Sequence, residues 1–93
     1  MFDNEDVFIM LKTIFIHNGT TNAGLKIIQN LLLENDYTTG SIKNKVICAD
    51  IPENISKVQN FLNYDEFTYL PVSSETPIDI NETISKVIIL QRA

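Results

Sequence analysis

The chain has 93 residues, 44% of them apolar and 20% charged, with 12 acidic against 7 basic side chains and a formal charge of -5. That length supports one domain, residues 1–93, around one core, and the composition excludes a disordered or collagen-like chain. The only close basic pair is Lys43 and Lys45, so nucleic acid is disfavoured as a partner, because duplex binding needs several phosphate contacts.

Residues 7–16 form the densest apolar run. Lys12 and Thr13 interrupt it and it is about half a membrane span, so no membrane association is expected. An acidic start without a secretory cleavage pattern points to the cytoplasm. Two structures fit the run. A helix would be capped by Asp3 or Asn4 and stopped at His17, Asn18 and Gly19. A central strand covered on both faces would suit its β-branched and aromatic content.

The stretch HNGTTNAG then leads into a regular pattern. At helical steps Leu25, Ile27, Ile28, Leu31 and Leu32 fall on one face and Lys26, Gln29, Asn30 and Glu34 on the other. This predicts an amphipathic helix capped by Thr20 or Thr21, ended by Asn35, Asp36 and the turn-forming TTGS. Residues 45–50 read as a short buried strand. Pro52 and Glu53 suit the start of a second helix, with Ile55, Val58, Phe61 and Leu62 on its apolar face and Asn63 at its end. Residues 67–72 make a third strand, which Pro71 pushes towards an edge or an early stop. Within residues 84–91, VIIL at 87–90 reads as a fourth strand. A terminal helix capped by Asn81 also fits, since Ile84, Val87 and Ile88 align at helical spacing.

The order strand, helix, strand, helix, strand, strand predicts a small α/β fold, a two-layer or three-layer sheet with two amphipathic helices. The alternative pairs residues 37–42 with 45–50 as a hairpin and gives an α+β ferredoxin-like βαββαβ order.

Residues able to carry chemistry are few. Cys48 is the only cysteine and sits in the apolar run VICA, which reads as a buried thiol in a reducing compartment. His17 is the only histidine, so no multi-histidine metal site is expected and no catalytic residue is assigned. Sequons at Asn18, Asn54 and Asn81 match chance in an Asn-rich chain. Asp65 and Glu66 are adjacent and would point apart on a strand. Phe67 and Tyr69 would share a strand face, with Phe67 in the core. If the sheet is parallel, Asp50, Ser73 and Ser74 face the same edge as HNGTTNAG.

That edge is where ligands gather in parallel sheets. On this reading His17, Asn18, Gly19, Thr20, Thr21 and Asn22 form an anion site, with glycines permitting backbone approach and helix amides facing the ligand. The loop resembles the phosphate loop of flavodoxins, and NYDEFTYLPVSS is similar to their third strand and its following loop. Small sugar-phosphotransferase B subunits have a comparable sheet, and their phosphorylated position would fall on His17 or Asn18. The loop lacks the Thr-Gly-Asn-Thr order of the first family and the cysteine of the second, so the chain is assigned to neither.

The leading functional expectation is therefore a small acidic, non-catalytic protein-interaction module without a cofactor. It would bind another protein or itself as a regulatory, inhibitory or assembly component, and the Ile- and Asn-rich composition suits a phage or mobile element. The alternative is a phosphate- or nucleotide-binding domain using residues 17–24.

Overall fold

A computed structural model describes residues 11–73, 78, 80 and 82–91. The elements run β1 (Lys12–His17), α1 (Asn22–Leu33), β2 (Asn44–Asp50), a 3-10 segment (Pro52–Phe61), β3 (Phe67–Pro71) and β4 (Lys86–Ile89). The four strands form one sheet in the order β3-β2-β1-β4, and every pairing is parallel.

The protein is thus a small α/β structure, and the ferredoxin-like alternative is corrected: its hairpin would have made the sheet antiparallel. Residues 37–42 form no strand, only a bridge between Asp36 and Ser41. The reason lies in the turn chemistry. The Asp36 carboxylate accepts the amides of Thr38 and Thr39 at 3.0 and 3.2 Å, and Gly40 takes a φ of 77°. These side-chain bonds hold the backbone in a turn. The Thr39 and Thr38 contacts also keep the Asp36 carboxyl below its usual pKa.

β1 lies between β2 and β4, so its described residues are strand and not helix. The proposed caps Asp3 and Asn4, and the remainder of the apolar run before Leu11, lie outside the described residues. Alternation along β1 and β2 divides the core. Ile14, Ile16, Val46 and Cys48 face the helices and meet Ile28, Leu32 and Val58. Phe15, Ile47 and Ala49 face the opposite side, covered by Leu70, Val72, Ile80 and Ile84.

The chain steps from β1 to β2 to β3 with its helical connections on one face. It then returns across the other face to set β4 against the far side of β1. Reversing direction while changing face is what a constant crossover handedness requires.

In α1, Thr21 is the cap, accepting the Gly24 amide at 3.1 Å. Ile28 and Leu32 are buried against the sheet, with Leu25, Ile27 and Leu31 beside them. At the other end, two buried side-chain amides tie α1 to β2: Asn35 at the helix end and Asn44, one residue before the strand expected at 45–50. Asn35 accepts the amides of Lys43 and Asn44 at 2.7 and 2.9 Å, while Asn44 donates to the Leu31 carbonyl at 2.9 Å.

The second helix, expected to start at Pro52 and end at Asn63, is present over Pro52–Phe61 as a 3-10 helix with non-helical backbone at Val58. Pro52 sits in its first turn, as the sequence suggests, but Ile51 at the cap position has no side-chain acceptor to offer. Ile55, Val58 and Phe61 are three residues apart, the spacing that stacks on one side of a 3-10 helix. The kink spoils the continuation: only Val58 is fully buried, and Ile55 and Leu62 are each 43% exposed. The terminal-helix alternative for residues 84–91 is also corrected, because Lys86–Ile89 pairs with β1.

Candidate functional site

At the carboxyl end of the sheet, β1 runs into the loop before α1. Asn18 adopts the left-handed conformation, φ 62°. Asn tolerates this better than a β-branched residue. The twist lets its amide donate to the Ala49 carbonyl at 2.8 Å and its carbonyl accept the Thr21 amide at 3.3 Å.

Gly19 and Gly24 do permit close approach, but to the protein itself. A Cβ on Gly19 would stand 2.5 Å from Cys48 Sγ, and one on Gly24 would stand 2.3 Å from the Gly19 carbonyl oxygen. The loop thus nests between the start of α1 and the buried thiol.

The loop is secured from the end of β2. Asp50 is 1% exposed, and its carboxylate accepts both the amide of Thr20, at 3.0 Å, and the Thr20 hydroxyl. Its other oxygen accepts the Ile51 amide at 2.8 Å. Asn54 Nδ2 donates to the Thr20 hydroxyl oxygen at 3.0 Å, joining the 3-10 segment to the same group. Asn54 stood out in the sequence only as a sequon. Its place beside Thr20 depends on a contact across 34 residues, which no local pattern encodes.

His17, Asn18, Asp50 and Ser73 come together in one cleft of about 340 Å³, whose apolar wall is Ile51, Val72 and Ile78. Thr20 is buried beneath this edge, Thr21 is engaged as the α1 cap, and Asn22 begins the helix. Ser74 lies outside the described residues. The strand order reverses between β1 and β4, the position at which parallel sheets open a crevice for ligands. Here that position is bridged: Asn18 Nδ2 donates to the Leu90 carbonyl at 2.7 Å, and the Leu90 amide donates to the His17 carbonyl at 3.1 Å.

Cys48 is buried, and burial pushes its thiol up to about 12. The thiolate needed for nucleophilic or redox chemistry is therefore suppressed at neutral pH. Among the described residues no group of three or more His, Cys, Asp or Glu side chains is placed to hold a metal ion. No described helix is long and apolar enough to cross a membrane.

The outer edge of β4 is a second candidate. Val87 and Ile89 lie in register with Phe15 and His17, on the sheet face opposite the helices, and are 55% and 72% exposed. Among the described residues only β1 pairs with β4. The opposite sheet edge, β3, ends in Pro71, which has no amide to offer a further strand.

These features define a small α/β protein with an all-parallel four-stranded sheet. The chain matches no protein-family pattern, no curated protein and no solved structure.

Proposed function

We propose that this chain is a non-catalytic protein-binding module that adds a strand of its partner to the outer edge of β4. In that role it serves as a regulatory, inhibitory or assembly component in the reducing cytoplasm. The observation that carries this reading is that β4 is paired on one side only among the described residues and bears the exposed side chains of Val87 and Ile89. Leu90 turns its amide towards β1, so by the alternation of a strand residues 87 and 89 turn theirs outward. A partner strand can satisfy those groups and cover both apolar side chains at once. The anion reading of residues 17–22 draws less support, because the Thr20 amide and hydroxyl are donated to a carboxylate of the chain itself.

The test uses Ile89→Pro, which removes an outward amide and leaves the inward bonds of β4 intact, and Val87→Lys, which charges the edge. A partner captured by the wild-type chain and identified by mass spectrometry should be lost from both variants, with thermal unfolding of the free proteins little changed. Undiminished capture by both would remove β4 as the binding edge. If the captured strand is a second copy of this chain, sedimentation will show a dimer that the same substitutions dissociate.

A further inference from the structure

A second cleft, of about 300 Å³, lies between α1 and the 3-10 segment. Its rim carries two ammonium groups, Lys26 and Lys57, and three side-chain amides, those of Asn22, Gln29 and Asn60. Its apolar part is Leu25 and Phe61.

Three observations make this more than a solvated surface. The chain has 12 acidic residues against 7 basic ones, yet among the described residues no carboxylate lines the cleft, so the charge of its lining opposes the overall charge. The single ion pair among the described residues is Lys45 with Glu82, which leaves Lys26 and Lys57 unpaired there. None of the five polar side chains hydrogen bonds to another described residue, although each carries N–H donors and all five residues line one cleft. The apolar part is fixed in place. Leu25 and Phe61 pack on the core, and the Phe61 ring lies 5.6 Å from that of Phe67.

We infer that this cleft binds a small organic anion, one phosphate or carboxylate group held by Lys26 and Lys57 and carried on an apolar or aromatic body that rests on Leu25 and Phe61. Two lysines neutralise one oxyanion, and the amides can donate to its remaining oxygens. The volume is at the lower end of small-ligand sites. Two cations are too few for a nucleic-acid backbone. The inference is independent of the β4 edge.

The test is an amide-resolved NMR titration at low salt with phenyl phosphate, benzoate and inorganic phosphate. Saturable shifts should be confined to α1 from Asn22 to Gln29 and to the 3-10 segment. In the double variant Lys26→Gln, Lys57→Gln the affinity should fall about tenfold or more, as loss of two charge-assisted contacts predicts. Phe61→Leu should weaken phenyl phosphate and leave inorganic phosphate unchanged. Tighter binding of benzoate than of phenyl phosphate assigns a carboxylate ligand, and the reverse order assigns a phosphate. The inference is overturned if neither aromatic anion gives saturable shifts, if the shifts centre on Thr20, or if the double variant binds as the wild type does.

Discussion

The buried carboxylate of Asp50 accepts hydrogen bonds from both the amide and the hydroxyl of Thr20, a residue 30 positions earlier in the chain. Asp50→Ala would leave those two donors and the Ile51 amide without an acceptor in a water-poor site. Each unsatisfied group costs roughly 1–3 kcal/mol, and partial solvation after truncation keeps the total to about 2–4 kcal/mol. Urea unfolding will measure it. Thr20→Val removes the hydroxyl alone and should cost about 1–2 kcal/mol, with the double variant less destabilised than the sum because the two share one network. Full additivity would show that the pair is not coupled.

Gly19 and Cys48 are expected to be coupled in the same way, by steric contact. Gly19→Ala places a methyl group 2.5 Å from Cys48 Sγ, a buried atom with no room to withdraw. Overpacking of this kind costs about 1–3 kcal/mol. In a Cys48→Ala background the nearest atoms become the Cβ of residue 48 and Ile16 Cγ2, both at 3.4 Å, so most of that cost should vanish. Chemical denaturation of the four proteins in the cycle checks this, and equal cost in both backgrounds would refute it.

The same burial predicts an alkaline limit to stability. Cys48 is pushed from its ordinary 9.0 up to about 12 by desolvation, and Tyr69 from 10.0 up to about 12 by desolvation and the nearby Cys48 and Glu53. Both are acids whose folded-state pKa is raised, so the folded state holds its protons more tightly than the unfolded state. Their contribution is fully present below about pH 9 and is lost as pH rises towards 12. Melting temperature should therefore be flat in this respect up to about pH 9 and fall above it, and the fall should be shallower in Cys48→Ala. Reaction of Cys48 with a thiol reagent at neutral pH should track global unfolding, and fast labelling of the folded protein would contradict the buried placement.

Ile28 and Leu32, one turn apart on α1, are buried in the cluster with Ile14, Ile16 and Val46. Replacing either with Ala should cost about 2–5 kcal/mol from lost transfer free energy and the cavity left behind. Leu33→Ala, on the same helix but 71% exposed, should change stability far less. Thermal melts of the three variants give the comparison directly.

Local periodicity made the helix face and two of the strands, β2 and β3, legible, and left the segments of β1 and β4 open between strand and helix. Leu25, Ile28 and Leu32 repeat at helical spacing, residues 45–50 are too short and too apolar for anything but a buried strand, and Thr21 precedes its helix with the right hydroxyl. The carboxyl-edge cluster was legible in part, since a parallel sheet carries His17, Asp50 and Ser73 to one end. The second helix was legible as a helix but not as to its type, because the spacing of Ile55, Val58 and Phe61 suits either kind. The uncapped start at Ile51 and the kink at Val58 decide between them only in the folded chain.

What the sequence determined by itself is therefore short-range: which segments alternate, which face of α1 is apolar, where Pro and Gly interrupt. The tertiary structure decided that β4 lies beyond β1 and not beyond β3, so that Val87 and Ile89 stand on the edge strand of the sheet formed by the described residues. It also decided that the Asp50 carboxylate fills the loop at Thr20, and that Lys26 and Lys57 meet across one cleft. The physical reason is common to all three. Each depends on residues about 30 or more positions apart, whose meeting follows from burial of the whole core and the handedness of the crossovers, neither of which any local run of side chains carries.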